Sequence, residues 1–294
     1  DSRFAIPTAV TLRSIVQHGG TGLAFVVLHD GLATVLRNRI ETSLPEHGGS
    51  ITWVDMSEQR VATTQSMHLP RAANFRLLID QVDVSWPARV LYLDTDVLVR
   101  GNLLPLWTLE LGDATVAAVR SLNFPNIGSY GAVDRSSRVG VDPRLPFFNS
   151  GFLVIDMPRW QEQRVGRRAI EFMLSADANS QNADQEALNV CLAGRWLELG
   201  PEWNQQRPLH DDNRGACLIY TDGEIERARQ EPAVVHFSDK PKPWHRDCTH
   251  PWRQSWRDLA AETSFAPITL ERTRLREVAR WRIKRAASAL IKGR

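Results

Sequence analysis

The chain has 294 residues, of which 43% are hydrophobic and 24% charged, and its formal net charge is +2. This balance suits one large globular domain with a substantial core, and it excludes a disordered, collagen-like or low-complexity chain. The three cysteines, Cys191, Cys217 and Cys248, are widely spaced, so they predict no disulfide framework and favour a reducing compartment. No apolar run approaches the roughly 20 residues that a spanning helix needs, so we expect neither a spanning helix nor a signal peptide.

Short apolar runs rich in Val, Ile and Leu alternate along the chain with stretches of helical periodicity. The apolar runs are continuous, which is typical of strands buried on both faces. This order predicts an α/β fold with a mostly parallel central sheet, whose ligands bind beyond the carboxyl ends of the strands. The predicted helices are residues 8–17, 32–42, 72–82, 160–174 and 184–192, and the predicted strands are residues 23–28, 51–54, 90–93, 116–119, 152–155 and 233–237.

The predicted strand 90–93 ends in Asp94, Thr95 and Asp96. Two carboxylates one residue apart on an extended chain point the same way, and like charges that close require a compensating cation. Oxygen ligands at the mouth of a sheet suit Mg²⁺ or Mn²⁺. A bare Asp-x-Asp is more often a turn that closes a strand, although the apolar run 97–99 argues against a surface turn here. Alone, the pair leaves both interpretations open.

Three further segments follow the acidic pair along the chain. Residues 147–156 are FFNSGFLVID followed by MPRW, residues 184–189 are DQEALN, and residues 235–238 are VHFS, leading to KPWHRDCT at 242–249. With the strand sequence LYLDTD, they resemble the LYLD-x-D, FN-[SA]-G, DQ-x-x-LN and H-[FY]…KPW patterns of glycosyltransferase family 8. The resemblance runs from Asp1 to about Thr263. The KPWHRDCT run is most similar to the lipopolysaccharide α-galactosyltransferases of that family.

The resemblance implies a Rossmann-like nucleotide-diphospho-sugar transferase fold of the GT-A type. The family begins with a strand that would precede Asp1, so we expect the first strand to be missing here. It also implies a retaining enzyme that moves galactose or glucose from a UDP-sugar donor to a glycan or lipid-linked acceptor. A non-catalytic sugar-nucleotide or glycan-binding protein of the same fold is the alternative.

The resemblance also assigns metal and donor sites. Asp94, Asp96 and His236 match the ligands of a Mn²⁺ ion, with Mg²⁺ as the second candidate, that bridges the two phosphates of the donor. Such a cation stabilises the charge that accumulates on a diphosphate leaving group. Considered alone, His236 would be a core histidine at a strand end. The positions that match donor-binding residues are Asp1, Phe4, Arg76, Asp94, Thr95, Asp96, Asn149 and Lys242.

Asp184 and Gln185 match the catalytic positions of the family, at the start of a helix that faces the donor sugar. The family uses the acid to hold sugar hydroxyls, although Asp184 also fits a helix N-cap. Gln185 lies where a nucleophile would be expected. Because an amide is a poor nucleophile, we expect substitution on the same face through an oxocarbenium-like transition state. His68 matches a position that contacts the acceptor.

Two departures from the family patterns concern the acceptor side. Asp239 stands where the family usually has Gly, and Ser121 replaces an acid that often follows the fourth strand. A second metal hypothesis also arises, because His245, Cys248 and His250 lie close in sequence and His236 would complete a zinc site. The run contains no CxxC or HxxxH pair to support it.

The positive charge is concentrated at the end of the chain. Residues 271–294 hold nine Lys or Arg and two Glu, a net charge of +7, which leaves −5 on residues 1–270. Apolar residues recur there on one face of a predicted helix, and basic amphipathic helices bind anionic membrane surfaces. We therefore expect a catalytic domain at 1–266 and a basic tail at 267–294 that holds the protein peripherally on the cytoplasmic face of a membrane. A solvated tail is the alternative, and no motif predicts a nucleic-acid partner.

Overall fold

The computed structural model describes residues 2–20, 22–58, 71–129, 140–175, 183–210, 216 and 219–273. The α-helices are α1 (Ala5–His18), α2 (Thr34–Glu41), α3 (Leu104–Trp107), α4 (Met157–Glu162), α5 (Val165–Leu174), α6 (Ala183–Cys191), α7 (Asp222–Gln230) and α8 (Arg253–Ala261). The strands are β1 (Ala24–His29), β2 (Ser50–Asp55), β3 (Arg89–Leu93), β4 (Val97–Val99), β5 (Val116–Arg120), β6 (Phe148–Asp156), β7 (Trp196–Leu199), β8 (Gln205–Gln206) and β9 (Val234–His236). Short 3₁₀ helices cover Ser2–Phe4, Arg71–Gln81, Pro201–Asn204 and Arg207–Leu209.

The described strands form three sheets of mixed direction. β1 and β2 pair in parallel, the central sheet has the order β3-β6-β5-β7, and the third sheet has the order β4-β9-β8. The α/β fold class is confirmed, but the sheets are mixed rather than mostly parallel as predicted. The reason is that β6 lies between β3 and β5 and runs antiparallel to both, and β4 runs antiparallel to β9.

The central sheet is buried on both faces, as the continuous apolar runs predict. Along β5, Val116 and Ala118 pack into one apolar cluster with α4, α5 and α6, while Ala117 and Val119 pack into a second cluster on the opposite face. All four side chains are buried. Because successive side chains of a strand point to opposite faces, a strand covered on both sides needs an apolar residue at every position.

Two predicted helices differ from the observed ones. The predicted helix 160–174 is divided into α4 and α5, because Arg164 adopts a left-handed conformation with φ of 49°. The predicted helix 72–82 is the 3₁₀ helix Arg71–Gln81. A 3₁₀ helix is tighter than an α-helix. It passes close to α5, where a Cβ on Gly166 would collide with the Leu77 carbonyl oxygen.

A register shift in β6 brings the FNSG segment to the end of the sheet. Ala118 of β5 pairs with Leu153, but the next residue, Val119, pairs with Asn149, so residues 150–152 have no partner on β5. On the other side of β6, the Asp94 backbone N–H donates to the Gly151 carbonyl oxygen at 2.9 Å. Bulges of this kind redirect side chains next to functional sites.

Candidate active site

The two acids and the histidine meet where β3, β4 and β9 come together. Asp94 follows β3, Asp96 precedes β4, and Val97 of β4 pairs with His236 at the end of β9. Asp94, Asp96 and His236 each offer a ligand atom within 4.8 Å of the others. Within the residues that the structure describes, no other group of three or more His, Cys, Asp or Glu side chains is close enough to hold a metal.

Asp96 has two cationic or potentially cationic neighbours. Lys242 Nζ donates to Asp96 Oδ2 at 2.6 Å and also to the Phe237 carbonyl oxygen, and His236 Nε2 lies 3.4 Å from Asp96 Oδ1. Burial alone would raise the pKa of Asp96, but Lys242 and His236 more than offset it and hold that pKa well below its ordinary value. Asp96 is therefore ionised at neutral pH, as a metal ligand must be.

Arg76 compensates the other acids of the site. Its guanidinium donates to Asp94 Oδ1 at 2.9 Å and to Ser150 Oγ at 2.9 Å, and its Nε lies 3.0 Å from Asp184 Oδ2. Burial alone would lower the pKa of Arg76, but the surrounding acidic groups raise it above its ordinary value. The Tyr92 hydroxyl donates to the same Asp94 oxygen at 2.8 Å. Arg76 is thus buried at the centre of the site.

The two predicted catalytic residues lie beside this cluster. Asp184 is the second residue of α6, and its carboxylate pairs with Arg76. Burial raises the pKa of Asp184, and Arg76 opposes that rise. The Gln185 Oε1 accepts from the Ser150 backbone N–H at 3.1 Å. The amide oxygen of Gln185 is therefore held by the bulged segment of β6.

Lys242 lies on an irregular loop, residues 240–249, which we call the lysine loop. Its backbone N–H donates to His245 Nδ1 at 3.1 Å, and its carbonyl oxygen accepts from the His245 N–H at 2.9 Å. Arg257 of α8 donates to two carbonyl oxygens of the loop, Pro243 at 3.0 Å and His245 at 2.7 Å. These contacts fix the turn from which the lysine side chain extends.

Phe4 and Thr95 lie at the edges of the site. The Phe4 ring meets Trp244 of the lysine loop edge-on, with centroids 6.0 Å apart. The Thr95 carbonyl oxygen accepts from the Thr11 hydroxyl at 3.0 Å. Asp1 and His68, the other predicted donor and acceptor residues, lie outside the described residues.

The zinc hypothesis is wrong for the described residues, because no three of its four proposed ligands bring their ligand atoms within 4.8 Å of one another. His245 Nδ1 accepts from Lys242, Cys248 Sγ donates to the Pro241 carbonyl oxygen at 3.3 Å, and His250 Nδ1 accepts from the Trp252 N–H at 3.2 Å.

At the second departure from the family patterns, Ser121 Oγ accepts from the Phe124 N–H at 3.3 Å.

Sequence reasoning missed three residues of the site. Tyr92 and Ser150 lie inside the LYLD and FNSG patterns, so their position next to the predicted ligands was the available signal. Asn204 follows no recognised pattern. It ends the 3₁₀ helix Pro201–Asn204, and its side chain contacts both Asn149 and His236.

Comparison with known proteins identifies the family. The sequence profile of Glycosyl transferase family 8 matches residues 1–248. The chain is 28% identical over 246 residues to General stress protein A of Bacillus subtilis, across 82% of this chain and 83% of that protein. It is 24% identical over 279 residues to lipopolysaccharide 1,3-galactosyltransferase of Salmonella typhimurium, across 92% and 78% of the two chains.

The fold has a solved counterpart. Galactosyltransferase LgtC, in complex with donor and acceptor sugar analogues, matches with a TM-score of 0.74 and 25% identity, and the match covers 96% of each chain. The GT-A type of fold is therefore confirmed. On the motifs, the profile match and this structural likeness together, the chain belongs to glycosyltransferase family 8.

Proposed function

We propose that this chain is a retaining hexosyltransferase that moves galactose or glucose from UDP to a hydroxyl of a glycan or lipid-linked acceptor. The observation that carries the proposal is the convergence of Asp94, Asp96 and His236, with Lys242 bound to one of the two carboxylates. The names of its relatives support the class of reaction, since one is a lipopolysaccharide 1,3-galactosyltransferase and LgtC is a galactosyltransferase.

The ligand atoms of this group fit a hard divalent cation, and we infer that Asp94, Asp96 and His236 would hold Mn²⁺ or Mg²⁺. Two carboxylates and one imidazole are ligands that Mn²⁺ accepts. The bound cation would stabilise negative charge on the diphosphate leaving group. Arg76 pairs with Asp94 and Lys242 pairs with Asp96, so the negative charge of both carboxylates is balanced in a largely buried site.

The other residues bind and orient the donor. Lys242 places an ammonium beside Asp96, where it can exchange the carboxylate for a phosphate oxygen of the donor. Asp184 is buried against Arg76, and in our proposal its carboxylate accepts hydrogen bonds from sugar hydroxyls. In our proposal the ring of Phe4, which contacts Trp244, stacks on uracil.

The position of Gln185 favours substitution on one face of the sugar. Its amide oxygen accepts from the Ser150 N–H, so it is engaged before any substrate binds. In our proposal the bond from the anomeric carbon to the phosphate oxygen breaks and a bond to the acceptor oxygen forms on the same face. The acceptor proton passes to the departing phosphate, so that no protein nucleophile is needed and the configuration is retained.

The test is UDP release from UDP-galactose and UDP-glucose, measured with Mn²⁺ and with a chelator. We expect turnover with at least one donor in Mn²⁺ and its loss with the chelator. Asp96→Asn should lower turnover on the order of a hundredfold or more, since a metal contributes several kcal/mol to such charge stabilisation. The surface variant Asp113→Asn is the control. Donor binding without turnover would instead support the non-catalytic sugar-nucleotide-binding alternative.

We also propose that the basic tail binds an anionic membrane surface on the cytoplasmic side. The support is its charge of +7 and the predicted apolar face formed by Leu275, Val278, Ala279, Ile283, Ala286 and Leu290. Residues 274–294 lie outside the described residues. In the described part of the chain, no helix has the length and apolar character needed to cross a membrane.

A further inference from the structure

A chain of hydrogen bonds between two asparagines ends on the His236 ring. The Gly151 backbone N–H donates to Asn149 Oδ1 at 3.0 Å, and Asn204 Nδ2 donates to the same oxygen at 2.9 Å. Asn204 Oδ1 in turn lies 2.9 Å from His236 Nδ1. Asn204 is 0% exposed and His236 is 3% exposed, so water does not compete for these bonds.

The hydrogen bond from the Gly151 backbone N–H fixes the donor and the acceptor in each of the other two hydrogen bonds. A backbone N–H can only donate, so the Asn149 atom that faces Gly151 must be its carbonyl oxygen. That oxygen can only accept, so Asn204 must turn its NH₂ group toward it and its own oxygen toward His236. This second oxygen also only accepts. At 2.9 Å it lies closer to Nδ1 than Asp96 Oδ1 lies to Nε2, at 3.4 Å, so the single proton of the neutral imidazole lies on Nδ1.

The remaining ring nitrogen then carries the lone pair. His236 Nε2 faces Asp96, 3.4 Å from its Oδ1, within the group of potential metal ligands. Histidines that bind metals almost always donate their other N–H to an oxygen acceptor, which fixes both the tautomer and the ring orientation. The asparagine chain supplies such an acceptor from the protein side.

We propose that Asn204 is a positioning residue for the metal site: supported by Asn149, it holds His236 in the Nδ1–H tautomer with Nε2 directed at the cation position. This inference rests on the metal dependence of the proposed function. Asn204 reaches His236 because β8, which follows it directly, pairs in parallel with β9, so that Gln206 lies opposite His236.

The first experiment measures Mn²⁺ affinity of the full chain by calorimetry, without nucleotide. Asn204→Leu keeps the size of the side chain but leaves Nδ1 without an acceptor, and we expect Mn²⁺ binding to weaken about 10- to 100-fold. Asn204→Asp keeps an oxygen acceptor for His236 Nδ1 but loses the NH₂ group that donates to Asn149 Oδ1, so its Mn²⁺ binding should weaken less than that of Asn204→Leu. The matched control is Gln205→Leu, which removes an equally buried amide one residue along that contacts His210. It should bind Mn²⁺ as the parent does.

The second experiment reads the tautomer directly. Two-bond ¹⁵N–¹H NMR correlations of histidine-labelled, metal-free protein at pH 8 should place the His236 proton on Nδ1 in the parent and lose that preference in Asn204→Leu. A proton on Nε2 in the parent, or equal Mn²⁺ affinity of the parent and Asn204→Leu, would overturn the inference. A parent chain that binds no Mn²⁺ while showing the Nδ1–H tautomer would instead contradict the metal dependence in the proposed function.

Discussion

The absence of a side chain at Gly151 leaves room for two of the predicted metal ligands. A Cβ at this position would overlap the His236 ring and lie 2.9 Å from Asp94 Oδ2. Gly151→Ala must therefore push two predicted ligands apart, and we expect Mn²⁺ affinity and turnover to fall about 10- to 100-fold. Gly223→Ala is the control, because nothing lies within 4 Å of a Cβ there. Wild-type Mn²⁺ affinity in Gly151→Ala would show that these side chains are not the ligands.

We expect His250 to make the stability of the protein depend on pH. Burial, with His210 and nearby arginines adding to it, lowers the pKa of His250 to about 3 from an ordinary value of 6.5. Between these two values the unfolded chain binds a proton that the folded chain does not. The free energy of unfolding should therefore fall as the pH drops from about 6.5 toward 3, by up to roughly 5 kcal/mol from this residue.

The check on His250 is urea unfolding of the parent and of His250→Asn at several pH values between 7.5 and 4.5. Asparagine keeps an oxygen acceptor for the Trp252 N–H but does not titrate. We expect the variant to be less stable at pH 7.5 and to lose less stability on acidification. His47→Asn, at an exposed position, should keep the slope of the parent. Parallel slopes for the parent and His250→Asn would remove His250 as the cause.

At the scale of elements, the sequence predicts best what depends on burial. Continuous apolar runs mark strands such as β5 because both of their faces are covered. The division between α4 and α5 could not be predicted, because Arg164 adopts its positive φ without a Gly or Asn to mark it. The β6 bulge is equally hidden, since its residues would fit an uninterrupted strand. The acids and His236 were predictable from motifs, whereas Asn204 depends on strand pairing and has no local pattern.

The lysine loop depends on a segment at the far end of the described chain. The Thr273 hydroxyl lies 2.8 Å from Asp247 Oδ1 and 3.0 Å from His245 Nδ1, the atom that also accepts from the Lys242 N–H. Burial alone would raise the pKa of Asp247, but hydrogen bonds from Thr273 lower it. One threonine therefore supports the turn that carries Lys242.

Removing that hydroxyl should weaken donor binding. One such hydrogen bond contributes about 0.5–1.5 kcal/mol of free energy, so its loss in Thr273→Val should raise the Kd for UDP with Mn²⁺ about 2- to 10-fold. Thr273→Ser keeps a hydroxyl and should restore the Kd of the parent. Thr263→Val is the matched control, because it deletes a similarly buried hydroxyl that bonds to Ala260. The effect should vanish in a Lys242→Ala background. If Thr273→Val raised the Kd for UDP by the same factor in the Lys242→Ala background, Thr273 would not act through Lys242 and would affect only the stability of the protein.

On the scale of the whole molecule, charge divides the chain into an acidic body and a basic end. Residues 274–294 hold eight Lys or Arg and one Glu, a charge of +7, against −5 on residues 1–273. Residues 267–273 pack against the acidic body, since Ile268 packs against the apolar cluster that contains Trp256 and the Glu271 backbone bonds to Trp244 and Arg246. A test of the tail must therefore leave these residues in place.

Deletion of residues 274–294 should abolish binding to anionic phosphatidylglycerol vesicles and leave turnover on a soluble acceptor within about twofold. Each basic residue near an anionic surface contributes about 1 kcal/mol to membrane binding at moderate ionic strength. Because salt screens this attraction, the full chain should dissociate from the anionic vesicles in high salt, and it should not bind neutral phosphatidylcholine vesicles. The paired substitution Arg280→Glu and Lys284→Glu keeps the apolar residues but lowers the charge by four, and should release most of the protein. Vesicle binding that survives both changes would place the membrane-binding surface on the acidic body instead, where electrostatics oppose it.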